Sequence, residues 1–119
     1  MPDSQITLAD LRQRIQSFVD ERDWRQFHRP KNLAMSIAIE AAELMEHFQW
    51  VDNDESHLRA MEDRHRRQIA EEIADVACYL LSLANAMQLD LSDAVLAKLR
   101  KNVLKYPAAE FRGKFEKPG

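Results

Sequence analysis

At 119 residues, of which 45% are apolar, the chain is long enough for one domain and short for two. Two glycines and four prolines leave little material for the turns of a sheet, so the composition favours an all-α protein. The net charge of -3 argues against a nucleic-acid-binding surface, because proteins that bind the phosphate backbone usually carry a basic excess.

The sequence indicates neither a membrane segment nor a disulfide. The longest uncharged run, residues 76–89, is well short of the roughly 20 residues that span a bilayer, and no basic-then-apolar leader opens the chain. The single cysteine, Cys78, lies in this run and is expected to be a buried structural thiol. We therefore expect a cytoplasmic protein with no membrane partner and no nucleic-acid partner.

Four helices are predicted, and the first two occupy the N-terminal half of the chain. The first begins at a capping-box variant with Thr7 as its N-cap and runs to about Trp24. Residues 25–32 form a break, because Pro30 disfavours a helical conformation in the residue before it. The second helix is predicted over residues 33–50.

The third helix is predicted after an acidic loop, with its N-cap at Asp54 or Ser56. Its first part, residues 59–67, is highly charged and is expected to be solvated. The remainder is largely apolar and ends near Met87, so a single long helix is expected across both parts.

The fourth helix is predicted to begin at the N-cap Asp90 and to extend to about Tyr106, where Pro107 stops it. We expect residues 1–107 to form a single all-α domain. The remaining residues, 108–119, are expected to form a C-terminal tail.

Two acidic pairs interrupt these apolar helices: Glu40 with Glu43 on the second, and Glu72 with Asp75 on the third. Residues three apart share a helical face, so each pair directs two carboxylates to one side. Two unit charges about 4 Å apart repel by roughly 4 kcal/mol at an effective dielectric constant of about 20. Carboxylates brought together by packing therefore need a cation, and oxygen-only ligands select Mg²⁺ or Mn²⁺ before Zn²⁺. The alternative interpretation is that both pairs are solvated stripes with arginine partners.

Other polar and aromatic side chains are candidates for nucleotide binding. Aromatic rings stack on bases, helix N-termini favour anions, and a row of a cation, an amide and a phenol can bind phosphate and sugar oxygens. Core packing and ordinary solvation explain the same residues as readily when each is taken alone. The candidates are Trp24, His28 and Trp50 for a base pocket, Lys31 and Asn32 at the start of the second helix, and Lys98, Asn102 and Tyr106 along the fourth.

The spacing Glu40-x-x-Glu43, followed after a loop by Glu72-x-x-Asp75, resembles the signature of the MazG-like all-α nucleoside triphosphate pyrophosphohydrolases. The flanking blocks are similar to the dCTP pyrophosphatase branch of that superfamily and comprise residues 24–33, 43–50, 72–79 and 98–107. The resemblance implies a four-helix bundle-like MazG-type fold that assembles as a homodimer or as a homotetramer (a dimer of dimers), with sites at subunit interfaces.

The resemblance also implies an activity, which is Mg²⁺-dependent hydrolysis of nucleoside triphosphates between the α- and β-phosphates, giving a monophosphate and pyrophosphate. The candidate substrates are dCTP and modified deoxynucleoside triphosphates. The metal ligands would be Glu40, Glu43, Glu72 and Asp75, with Glu43 or Glu72 activating the water. The base and sugar pocket would contain Trp24, His28 and Trp50, and phosphate or sugar contacts would come from Lys31, Asn32, Lys98, Asn102 and Tyr106.

One departure from the branch is visible between the first two glutamates. Ala41-Ala42 stands where a glycine is common, which bears on helix packing and the preferred base more than on the chemistry. The alternative function is a non-catalytic nucleotide-binding or regulatory helical module.

Overall fold

The computed structural model describes residues 1–116, and over these residues the chain is helical and contains no strand. The helices are α1 (Leu8–Glu21), α2 (Pro30–Glu46), α3 (Asn53–Met61), α4 (Asp63–Ala86), α5 (Leu91–Lys105) and the single-turn α6 (Ala108–Phe111), with a 3₁₀ turn at Arg25–Phe27. This architecture confirms the all-α prediction. None of the helices within residues 1–116 has the length and apolar character needed to cross a bilayer.

The chain divides into two compact units, each of which makes most of its contacts within itself: residues 1–88 and the part that begins at Leu89. In the first unit α4 is the central helix, because α1, α2 and α3 all pack against it. The buried apolar side chains of this unit are Val19 on α1, Leu33 on α2, and Ile69, Leu81 and Ala84 on α4. The expected division into a domain of residues 1–107 and a tail stays a prediction.

Helix α1 begins where its sequence predicts. The hydroxyl of Thr7 accepts a hydrogen bond from the backbone N–H of Asp10, and the Asp10 carboxylate accepts one from the backbone N–H of Thr7, each at 3.1 Å. This reciprocal capping box satisfies two of the N–H groups that have no partner within the helix. The helix ends three residues before Trp24, and Asp23 adopts a positive φ of 51° in the turn that follows.

Helix α2 starts three residues earlier than predicted, at Pro30. Pro30 occupies the first helical position, where its missing N–H costs nothing, and Arg29 before it is extended, as the proline ring requires. Its last residue, Glu46, comes four residues before the predicted end, and residues 47–50 form turns.

The prediction of one long third helix from the charged stretch to Met87 was wrong. Glu62 is extended, with ψ of 127°, and separates α3 from α4. The N-cap of α3 is Asp52, whose carboxylate accepts a hydrogen bond of 2.8 Å from the backbone N–H of Glu55. The predicted caps, Asp54 and Ser56, lie instead inside the helix.

The second unit contains α5 and α6. Asp90 caps α5 as predicted, because its carboxylate accepts a hydrogen bond of 2.9 Å from the backbone N–H of Asp93. Pro107 follows the C-cap Tyr106 and is the N-cap of α6, so the expected tail includes a helical turn. The last three residues of that tail, 117–119, lie outside the described residues.

Candidate active site

Three carboxylates converge where α2 packs against α4. Glu40 and Glu43 come from α2 and Glu72 comes from α4, and one oxygen from each lies within 4.8 Å of the other two. We refer to these three residues as the acid cluster. Glu40 Oε2 and Glu72 Oε2 are both buried and have no hydrogen-bond partner. Buried polar atoms are almost always paired, so an unpaired buried oxygen on two glutamates of the same cluster is compatible with cation binding.

The electrostatics of the acid cluster agree with this geometry. Burial raises the pKa of Glu40, and the neighbouring Glu43 carboxylate raises it further. Burial also raises the pKa of Glu72, again with added repulsion from Glu43. The anionic forms are thus destabilised by desolvation and by one another, and a cation between them would remove both costs.

The dimensions of the acid cluster fit a small divalent cation. Oxygen ligands lie about 2.1 Å from Mg²⁺, so two on opposite sides of the ion are about 4.2 Å apart. The three oxygens lie within 4.8 Å of one another, so all three can approach one ion of this size. Carboxylate oxygens are also the donors that Mg²⁺ and Mn²⁺ prefer. Glu40, Glu43 and Glu72 therefore fit the metal that the resemblance implies.

Asp75 is the fourth predicted ligand, but its carboxylate oxygens are not among those that lie within 4.8 Å of one another. Its charge nevertheless raises the pKa of both Glu40 and Glu72, after the larger effects of burial and Glu43. The role of Asp75 as a metal ligand stays a prediction.

His47 lies beside the acid cluster, and its spacing from Glu40 and Glu43 had placed it on the same arc of the second helix. It is the C-cap residue of α2, and its Nε2 lies 4.0 Å from Glu72 Oε1. Both side chains are about one-fifth exposed, at 20% and 22%. The charge of His47 lowers the pKa of Glu72, against the larger effects of burial, Glu43 and Asp75 that raise it.

A cavity of about 470 Å³ lies between α1 and α4 and includes Asp75 in its wall. Trp24 and His28 stack with an interplanar angle of 12° and centroids 6.4 Å apart, and the Phe18 ring meets Trp24 edge-on. The Nδ1 atom of His28 lies 3.0 Å from the Trp24 carbonyl oxygen, which fixes the imidazole. The aromatic cavity, as we call it, is lined by Arg14, Ile15, Phe18, Val19, Trp24, His28, Asp75, Cys78, Tyr79 and Ser82.

Several residues of this cavity were not predicted as site residues. Tyr79 and Ser82 follow Asp75 at four and seven residues, so they share its helical stripe, and that spacing was the available signal. Phe18 on α1 carried no such signal, because its spacing is that of an ordinary packing residue. The prediction that Cys78 is buried was wrong, since its side chain is exposed and lines the cavity.

Other predicted binding residues of the first unit lie elsewhere. Trp50, in the turn after α2, is 86% exposed and is absent from the wall of the aromatic cavity. Lys31 is exposed in the first turn of α2. The Asn32 amide donates a hydrogen bond of 3.1 Å to the Phe27 carbonyl, which ties α2 to the 3₁₀ turn. Binding roles for these three residues stay predictions.

The remaining candidates belong to the second unit. Lys98 and Asn102 lie on α5 one turn apart, and Tyr106 is its C-cap residue. The Tyr106 ring packs edge-to-face on Phe111, with centroids 5.2 Å apart, and the Lys105 ammonium lies 5.3 Å from its centroid. Contacts of Lys98, Asn102 and Tyr106 with phosphate or sugar stay predictions.

Comparisons with known proteins agree with the sequence signature and the fold. A model of the MazG-like family matches residues 35–117. The chain is 41% identical to dCTP pyrophosphatase 1 of Bos taurus over 110 residues, which are 92% of this chain and 65% of that protein. It is 42% identical to dCTP pyrophosphatase 1 of Homo sapiens over 102 residues, or 86% of this chain and 60% of the human protein. The chain thus spans less than two thirds of the length of these relatives.

The fold has a counterpart in a crystal structure. A pyrophosphatase from Archaeoglobus fulgidus superposes with a TM-score of 0.79 at 38% sequence identity, over 90% of this chain and 98% of that one. This match and the family model confirm the resemblance that the acidic spacing and its flanking blocks indicated. The chain belongs to the MazG-like family.

Proposed function

We propose that this protein hydrolyses a nucleoside triphosphate between the α- and β-phosphates and releases a nucleoside monophosphate and pyrophosphate. Its relatives are named dCTP pyrophosphatase 1 and pyrophosphatase, so dCTP is the first substrate to test. Modified deoxynucleoside triphosphates are the next candidates, because they share the triphosphate and differ only in the base.

The observation that carries the proposal is the acid cluster with its two unpaired buried oxygens. A triphosphate is strongly anionic, so three glutamates alone would repel it. The same glutamates with a divalent cation would attract it, since Mg²⁺ typically completes its coordination with substrate phosphates. We propose Mg²⁺ as the cofactor, with Mn²⁺ able to replace it, held by Glu40, Glu43 and Glu72 with Asp75 as a fourth ligand.

The proposed reaction is attack of water on the α-phosphorus. A bond forms between the water oxygen and this phosphorus, while the bond to the oxygen bridging the α- and β-phosphates breaks and pyrophosphate departs. The proton of the water passes to a carboxylate, for which Glu43 and Glu72 are the candidates. When bound, the cation supplies charge stabilisation to the phosphoryl oxygens and the departing pyrophosphate.

The aromatic cavity supports the assignment of a nucleoside as the rest of the substrate. Its volume of about 470 Å³ is within the range of small-molecule sites, roughly 300–1,000 Å³. Aromatic side chains such as Trp24 contribute about 1–3 kcal/mol for each base that stacks on them. Asp75 and Tyr79 supply polar groups at the wall that could hydrogen-bond to base or sugar.

We further propose that the protein works as a homodimer or homotetramer. Two helices of the first unit carry apolar side chains on exposed faces, with Ile39 on α2 57% exposed and Ile73 on α4 53% exposed. Met35 lies one turn before Ile39, and Leu80 lies two turns after Ile73, so each helix carries a stripe rather than an isolated residue. Apolar stripes of this kind are typical of surfaces that another protein subunit covers.

The test of the activity is the product formed from dCTP with Mg²⁺. We expect pyrophosphate and the monophosphate, and Glu43→Gln or Glu72→Gln should reduce kcat by about 10²–10⁴-fold if that residue is the base. The matched controls are Glu46→Gln on α2 and Glu71→Gln on α4, which alter exposed glutamates outside the acid cluster. Release of orthophosphate, or no product from any nucleotide of a panel that includes modified bases, would contradict the proposal.

Metal binding separates the two roles proposed for the glutamates. If Glu43 and Glu72 both hold the cation, each Gln variant should bind Mn²⁺ more weakly than the parent. A variant that loses activity but binds Mn²⁺ as the parent does would identify a base that is not a metal ligand. Mn²⁺ affinity measured by electron paramagnetic resonance without nucleotide thus assigns Glu43 and Glu72. Equal Mn²⁺ binding by the parent and by Glu40→Gln would contradict the proposed metal site.

A further inference from the structure

His47 occupies a position that the proposed reaction has not used. It follows Glu43 by four residues and Glu40 by seven, so it continues the helical stripe that carries both glutamates. It is the C-cap residue of α2, so the end of that helix fixes its backbone beside the acid cluster. Within residues 1–116 it is the one basic side chain whose nitrogen is within 4.0 Å of an acid-cluster carboxylate.

The contact of His47 is directed at one oxygen of Glu72. Nε2 lies 4.0 Å from Oε1, which is close enough for an ion-pair contact but longer than a hydrogen bond, while Oε2 of the same carboxylate is buried without a partner. One oxygen of Glu72 thus faces the imidazole, and the other is left for a ligand. Because the two residues come from α2 and α4, the contact also joins the helices that bring the cluster together.

We infer that His47 is a positioning residue that holds the carboxylate of Glu72 in the orientation needed to coordinate the catalytic cation. This inference rests on the proposed function, because it assigns Glu72 to the metal. The role requires the Nε2–H group to move from 4.0 Å to hydrogen-bond distance of Glu72 Oε1 when the cation binds. That group is present both in imidazolium and in one neutral tautomer, so the role requires a donor and not a particular charge. Hydrogen-bond partners that orient a metal ligand typically contribute 10–100-fold to metal affinity or activity.

The experiment compares two substitutions of His47 in the full-length chain. His47→Leu removes the donor and puts an apolar side chain in its place, whereas His47→Gln retains an N–H donor at the end of a side chain of similar reach. The matched control is His57→Leu, which changes an exposed histidine on α3. The readouts are Mn²⁺ affinity without nucleotide, the melting temperature of the metal-free protein, and kcat and KM for dCTP.

We expect His47→Leu to weaken Mn²⁺ binding by roughly 10–100-fold and to lower kcat more than it raises KM. His47→Gln should recover most of the lost affinity, and His57→Leu should match the parent. The melting temperatures of the metal-free proteins should remain similar, since a positioning role toward the cation does not require a contribution to the metal-free fold.

Parent-like Mn²⁺ affinity in His47→Leu would overturn the inference, as would equal weakening in the Gln and Leu variants. Imidazole nitrogen coupling in the Mn²⁺ resonance spectrum of the parent would also overturn it, because His47 would then be a direct ligand. If the parent binds Mn²⁺ and releases no pyrophosphate, the proposed activity fails, while the affinity comparison still decides the role of His47. If the parent binds no Mn²⁺, both proposals fail.

Discussion

Glu40 destabilises the folded protein when it is ionised, although it is one of the proposed metal ligands. Burial raises its pKa, and the neighbouring carboxylates add to this effect, so its anion is less stable in the folded chain than in the unfolded one. The cost should be greatest when no cation is bound. A neutral side chain of the same shape would therefore stabilise the metal-free protein and impair the site.

We predict that Glu40→Gln raises the free energy of unfolding of the metal-free protein at neutral pH. A carboxyl group whose folded-state pKa is raised stabilises the unfolded state increasingly as pH rises from its ordinary value of 4.5 through the folded-state value. The advantage of the variant should thus disappear below that window. Urea denaturation with a chelator at several pH values measures it, and Glu46→Gln on the same helix is the control.

Magnesium should reverse the order of stability. A ligand at 100 times its Kd stabilises the native state by about 2.7 kcal/mol, and only the parent retains the full set of carboxylates. A metal-free Glu40→Gln protein that is less stable than the metal-free parent would contradict the prediction. It would show that the charge of Glu40 does not destabilise the native state.

Trp24 is the residue that most directly tests the aromatic cavity. We predict that Trp24→Ala raises KM for dCTP by roughly 5- to 150-fold, which corresponds to the loss of about 1–3 kcal/mol of base stacking. Steady-state kinetics measure the change, with circular dichroism as a check on folding. Phe27→Ala is the control, because Phe27 lies in the adjacent 3₁₀ turn outside the cavity wall. Unchanged KM in a folded Trp24→Ala protein would exclude the cavity as the base pocket.

The residues of the site differ in how far sequence could predict them. Glu40, Glu43 and Glu72 were predictable as neighbours, because charges at three-residue spacing on apolar helices restrict how these helices can pack. Phe18 was not predictable, since an aromatic residue at helical spacing looks the same whether it faces a core or a ligand cavity. The contact of His47 depends on the pairing of α2 with α4, which sequence spacing along one helix does not define.

At the scale of single elements, the capping box of α1 was predicted from the sequence and is present in the structure. We predict that Thr7→Ala lowers the free energy of unfolding by about 1 kcal/mol, the usual contribution of an N-cap side chain. Ser4→Ala, in the turn before the helix, is the control. Urea denaturation checks the prediction, and a variant as stable as the parent would mean that α1 does not depend on its cap.

The same element has a pH dependence of known sign. The hydrogen bond that the Asp10 carboxylate accepts from the Thr7 backbone N–H, followed by the effect of the nearby Thr7 side chain, lowers the pKa of this carboxyl below 3.8. The contribution of Asp10 is therefore complete above pH 3.8 and is lost as pH falls through the lower folded-state value. An Asp10→Asn protein should be less stable than the parent at neutral pH and approach it in strong acid.

Helix boundaries were less predictable than the helices themselves. Pro30 interrupts a helix interior but is well tolerated at the first position, so its presence indicated a boundary without deciding on which side the helix lies. The break at Glu62 has no glycine or proline to mark it, and the surrounding residues favour helix. In the structure α3 packs back against α4, and this tertiary contact is absent from the local sequence signals that favour a continuous helix.

At the scale of the whole molecule, the exposed apolar stripes suggest that stability depends on association. We predict that the melting temperature of the parent rises with protein concentration, because association stabilises the native subunit by mass action. Ile39→Glu should lower both the molar mass measured by light scattering and the melting temperature, since it places a charge in the stripe on α2. His57→Glu on α3 is the control. A parent that is monomeric at every concentration would refute the proposed assembly.

The exposed position of Cys78 offers a way to watch nucleotide binding without turnover. It is the single cysteine of the chain and lines the aromatic cavity, so a thiol-directed dye would label the protein at one place. Partial desolvation at the cavity wall, followed by the charge of Asp75, raises the pKa of this thiol, so alkylation should be slow at neutral pH and faster in mild alkali. A nucleoside in the cavity should shield the sulfur and lower the labelling rate further. The labelling rate would therefore report how much of the protein has nucleotide bound, even for analogues that resist hydrolysis.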